Sequence, residues 1–118
     1  MSVQLVKRHF NLTEYYRMAE VGILAPDERV ELIEGQIIQK ARITPRHASC
    51  TARLNMLLQE RMTETAIVSI HNPIRLDNYS EPEPDVGLLR HRADFYAEAH
   101  PMPTDTLLII EVADDRAI

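Results

Sequence analysis

Leu107-Leu108-Ile109-Ile110 runs straight into Glu111 and Val112, and no other stretch of the chain constrains the fold as much. An unbroken aliphatic run from Thr106 to Val112 is the pattern of a strand buried on both faces, which needs partner strands beside it and layers above and below. A carboxylate at the end of such a strand is costly unless it is paired or holds a cation. This is the longest apolar run in the chain and is far too short to cross a bilayer, so no membrane association is expected.

The rest of the chain supplies the layers. Asn11 to Leu24 reads as a helix, capped by Asn11 or Thr13, with Leu12, Tyr15, Tyr16, Ala19 and Ile23 at helical spacing and Gly22 and Pro26 marking its end. RVELIEGQIIQK follows: strand formers on both sides of Glu34-Gly35, which read as a two-residue hairpin turn. Thr44-Pro45 starts a second helix, threonine as N-cap and proline in the first turn, running to about Met62 with Ala48, Thr51, Leu54, Leu57, Leu58 and Met62 on one face. Ala66 to Ile70 and Ile74 to Leu76 read as a strand broken at Asn72-Pro73. Asp77 to Glu83 reads as a polar turn and Val86 to Leu89 as a strand opened by Pro84. Arg92 to Ala99 is expected to be a short helix before the Thr106 strand. The order gives an α/β (α+β) protein, a mixed sheet flanked by helices, in one domain spanning residues 1–118.

Composition narrows the function. With a net charge of −5, the chain is not a general nucleic-acid coating protein, since those are usually basic. Acidic charge and nucleic-acid chemistry are compatible when carboxylates gather around a divalent cation. Cys50 is the single cysteine, which excludes an internal disulfide, and the amino terminus lacks the apolar stretch of a signal peptide. A cytoplasmic location is therefore expected.

Acids in or beside apolar strands are the informative residues. Asp85 follows Pro84 at the start of one strand, and Glu111 closes another. If those strands are sheet neighbours, both carboxylates can point at one site, as a hard cation such as Mg²⁺ requires. Glu31, in the first hairpin strand, is a third candidate acid, although alternation with Val30 and Leu32 also fits a solvent-facing residue. Pairing of these acids with arginine is the competing structural explanation. His47 and Cys50 are spaced to face one zinc ion, but no second ligand pair accompanies them. His47 beside Arg46 and Arg42 at a helix start also suits a phosphate contact. The Arg90-His91-Arg92 run is either a solvated face or a contact to a DNA backbone. Ser69 and His71 alternate along a strand with no nucleophile-elbow context, which argues against a hydrolase triad.

VELIEGQII, the TPRH helix start, EPEPDVGLL and LLIIEV, preceded by the LTEYYRMAEVGIL helix, together resemble the Uma-two family of restriction endonucleases. The resemblance covers about Leu12 to Val112 and implies a PD-(D/E)XK nuclease-like fold. It also implies that Asp85 and Glu111 are catalytic residues holding Mg²⁺ or Mn²⁺, that Glu31 completes the metal shell, and that His47 and Arg46 contact the DNA substrate. Where an E-x-K motif would put lysine, this chain has Ala113, and the family's later helix and strand are expected to be missing. The leading expectation is thus a Mg²⁺-dependent DNA endonuclease. The alternatives are a catalytically inactive, truncated or degenerate copy acting through protein–protein contacts as a homodimer, and a DNA-binding module without cleavage.

Overall fold

The structure, a computed structural model, describes residues 3–113. In chain order it contains α1 (Leu12–Glu20), β1 (Val30–Ile33), β2 (Gln36–Gln39), α2 (Pro45–Met62), β3 (Ile67–Ile70), β4 (Val86–Leu89), a 3-10 turn (Pro103–Asp105) and β5 (Thr106–Ile110). The class is α+β, as expected, and compatible with a restriction-endonuclease-like fold. The strands are divided between an antiparallel hairpin, β1-β2, and an antiparallel sheet of order β3-β4-β5.

Local chemistry sets the first half. The Asn11 side chain accepts the Glu14 N–H while the Glu14 carboxylate accepts the Asn11 N–H, a capping box that starts α1. The helix stops earlier than Leu24, because Gly22 turns to φ +85° and Ile23 N–H bonds back to the Met18 carbonyl. The hairpin turns on Glu34 and Gly35, both at positive φ, as a primed turn demands. Gly35 is doubly constrained: a Cβ there would sit 2.5 Å from the Cβ of His9. Leu12, Tyr15 and Leu32 form the core between α1 and the hairpin, with Phe10, Tyr16, Leu24, Val30 and Ile37 packed against it. Thr44 caps α2 by accepting the His47 N–H at 3.2 Å, with Pro45 in the first turn.

The second sheet explains the rest. Ile70 pairs with Val86, and Val86 with Ile110. Continuing both registers by one residue sets His71, Asp85 and Glu111 side by side, and the His71 N–H indeed bonds the Asp85 carbonyl at 3.1 Å. α2 packs on β3 and β4.

Three expectations need correction. The strand buried throughout is β4, the central one. β5 is the edge strand, and Leu107, Leu108 and Ile109 remain 45%, 48% and 48% exposed because nothing among the described residues covers them. Ile74 to Leu76 joins no named strand: its amides bond the Pro82, Pro101 and Ser80 carbonyls. Arg92 to Ala99 forms turns instead of a helix, with Phe95 and Tyr96 at positive φ and the Tyr96 hydroxyl donating to the Arg90 carbonyl. The residues after Ala113, where the chain's ending was read, lie outside the described residues.

Candidate active site

Asp85 is the centre of the site. It is 1% exposed, delivered by the turn that enters β4. Its Oδ2 accepts the Val112 N–H at 2.7 Å, which ties it to the chain just past β5. Its Oδ1 faces two imidazoles: His47 Nε2 at 2.9 Å, from the first turn of α2, and His71 Nε2 at 3.3 Å, from the residue after β3. Arg29 stands 4.0 Å from the same oxygen. Burial alone would raise the Asp85 pKa. The Val112 N–H, His47 and the Lys40 charge outweigh it and hold the carboxyl below its ordinary range.

Glu111 lies across the β4-β5 register from Asp85, and both line one cavity of about 290 Å³ with Arg29, Lys40, Arg42, Thr44 and His47. Loss of water around the Glu111 carboxyl pushes its pKa up; the Lys40 ammonium opposes this, while Asp85 and Glu31 add to it. Lys40 reaches the cavity from the end of the hairpin. Its ammonium donates to the Glu83 carbonyl at 2.6 Å and lies 3.8 Å from Glu31 Oε2. That same Glu31 oxygen accepts the Glu83 N–H at 2.9 Å, so one hairpin acid fixes both the lysine and the segment leading to Asp85.

Each residue singled out in the sequence can now be located. Asp85 and Glu111 converge, because their strands are neighbours. Glu31 is held at the margin on Lys40 and Glu83, not turned to solvent. His47 contacts Asp85 directly. Arg46 instead lines a separate groove with Ser49, Cys50 and Arg53, and Arg29 and Arg42 are the guanidinium groups in the Asp85 cavity. Cys50 is exposed on that other groove, so it does not join His47. Three residues at the site are not marked by the sequence pattern: Arg29 and Lys40 flank the hairpin, and His71 alternates with Ser69 in no catalytic motif. The antiparallel register of β3 with β4 is the signal that brings His71 to Asp85.

A buried aspartate, an exposed glutamate, one imidazole, a lysine and two arginines line this one cavity, and His71 stands against the aspartate beside it. The Uma2 family model, described as "Putative restriction endonuclease", matches residues 12–117, and the chain belongs to that family. No curated protein and no solved structure matches it. Restriction-endonuclease-like proteins generally use a divalent metal ion. The residues here fit one: His47, His71 and Asp85 present ligand atoms within 4.8 Å of one another, and among the described residues the buried Nε2 of His71 has no hydrogen-bond partner.

Proposed function

We propose that the chain is a divalent-metal-dependent DNA endonuclease that hydrolyses phosphodiesters with Mg²⁺ or Mn²⁺. The observation that carries this reading is the meeting of Asp85 and Glu111 in one cavity with Lys40. Asp85 and Glu111 are the metal ligands, and Glu31 serves as the auxiliary acid. The ion, when bound, supplies Lewis acidity and lowers the pKa of a bound water. Arg29 and Arg42 line the cavity where a phosphate would enter and offer it charge-assisted donors. His47 stands 2.9 Å from Asp85 Oδ1 and shapes the site. Lys40, held by the Glu83 carbonyl, takes the charge-stabilising role that Ala113 cannot fill.

The test is cleavage of supercoiled plasmid with Mg²⁺ or Mn²⁺, comparing the unmodified chain with Asp85→Ala, Glu111→Ala and Lys40→Met. Cleavage that requires the ion and disappears in both acid variants is the expected result. A loss of about a hundredfold in Lys40→Met fits removal of one preorganised donor. Cleavage unchanged by either acid substitution removes this reading.

A second reading rests on the exposed apolar row of β5, Leu107 to Ile109, on an edge strand. It is a catalytically inactive protein that acts as a homodimer through that edge. It predicts a dimer in sedimentation whose stability ignores chelators; a monomer at high concentration counts against it.

A further inference from the structure

His71 is the residue that neither the sequence pattern nor the carboxylate pair explains. Its backbone is at φ +55°, a left-handed conformation uncommon outside glycine, in which histidine, asparagine and aspartate are the commoner exceptions. Strain of this kind is retained where the surrounding structure insists on it, and often at functional sites. It brings the ring beside Asp85, 3.3 Å from Oδ1, yet its buried Nε2 makes no hydrogen bond among the described residues. A buried nitrogen beside a carboxylate but without a directed hydrogen bond is costly unless something else meets it. Asp85 Oδ1 also stands 2.9 Å from His47 Nε2, a contact that is a hydrogen bond only in the tautomer with a proton on that nitrogen.

The spacing suggests what meets it. Neighbouring ligands held at about 2.0–2.2 Å from one ion stand about 3 Å apart. Asp85 Oδ1 lies 2.9 Å from one imidazole nitrogen and 3.3 Å from the other. The rest of the shell points the same way: Asp85 Oδ2 is fixed by the Val112 N–H, which aims Oδ1 between the two rings.

We infer that His47 Nε2, His71 Nε2 and Asp85 Oδ1 together form a nitrogen-bearing metal centre that selects a transition ion of the Mn²⁺, Co²⁺ or Zn²⁺ class over Mg²⁺. Imidazole nitrogen is a ligand for such ions, whereas Mg²⁺ keeps to oxygen and water. The inference rests on the metal-site reading above but is separable from it, since a centre of Asp85 and Glu111 alone would be all oxygen.

The experiment loads the metal-free protein with Co²⁺, Mn²⁺ and Mg²⁺ in separate calorimetric titrations. It also records visible absorption of the Co²⁺ form and pulsed electron paramagnetic resonance of the Mn²⁺ form. The expected results are Co²⁺ binding at least tenfold tighter than Mg²⁺ and ¹⁴N coupling from imidazole on Mn²⁺. Co²⁺ affinity should fall by more than about a hundredfold in His71→Gly, chosen because glycine accepts φ +55°, and in His47→Gln. The spectra of the unmodified protein carry the test even if one variant does not fold. Mn²⁺ bound without nitrogen coupling, or Co²⁺ affinity unchanged in folded His71→Gly, overturns the inference while leaving an all-carboxylate nuclease intact. Nitrogen coupling with no plasmid cleavage sustains the centre and defeats the endonuclease reading instead.

Discussion

Asp85 and Glu81 share one stretch of chain and are about equally hidden from water, 1% and 3% exposed, but their neighbours differ. Glu81 accepts the Tyr16 hydroxyl and Arg75 Nε at 3.1 Å, and Arg75 Nη2 also donates to the Tyr16 hydroxyl at 3.1 Å. Its backbone N–H bonds the Leu32 carbonyl at 2.7 Å. Those contacts join α1, β1 and the segment before β4, so the charge is compensated by groups that hold these elements together. Asp85 has two imidazoles nearer than its guanidinium, Arg29 at 4.0 Å; one of those imidazoles lacks a hydrogen bond among the described residues, and a cavity lies beside the acid. One buried acid is a joint between elements, and the other is the acid to which the proposed function gives a metal ion. Burial alone does not separate the two roles. The completeness of the partner set does.

The largest expected effect tests the Asp85 side. Asp85→Asn keeps the shape and should weaken divalent-ion binding by more than about a hundredfold, while costing about 1 kcal/mol of stability. Calorimetry and denaturant unfolding on the same sample read both. A large stability loss with metal binding unchanged would make Asp85 a joint like Glu81. Glu81→Gln should do the reverse. It leaves Arg75 without its anion and should lower the unfolding free energy by about 2–4 kcal/mol, with metal affinity per folded molecule retained. A urea midpoint that does not move would show that the Tyr16-Arg75 pair stands without the acid.

The smallest effect sharpens the picture around the joint. Burial pushes the Tyr15 hydroxyl from 10.0 up to about 12, and the charges of Glu83, Glu81, Tyr16 and Glu31 add to the shift. The unfolded chain ionises first, so this contribution is whole below pH 10 and is lost as pH rises towards 12. Tyr15→Phe should flatten the alkaline decline in stability by on the order of 2 kcal/mol, read from unfolding curves at pH 9 to about 12. An unaltered slope would place the alkaline weakness elsewhere in the molecule.

What could be read from the sequence was local. Asn11, Thr44-Pro45 and Glu34-Gly35 announce their caps and turn because the chemistry of each acts within a few residues. The pairing of Asp85 with Glu111 was legible too, since it needed only that two strands be neighbours. Strand position was not. Leu107-Leu108-Ile109-Ile110 is as apolar as a central strand and lies at an edge, while Val86-Gly87-Leu88-Leu89 takes the middle. Composition records what a strand would bury, not its order in the sheet. Lys40 and His71 were missed for the same reason. Lys40 reaches the site from a hairpin laid against Glu83, and His71 through a register that only the folded sheet defines.

The bond from the Val112 amide to Asp85 Oδ2 turns the site into something that can be watched from outside. An amide proton facing a carboxylate is sensitive to that carboxylate's charge and to whatever shares it. The Val112 resonance is therefore a built-in indicator, one hydrogen long, of the state of the most hidden acid among the described residues.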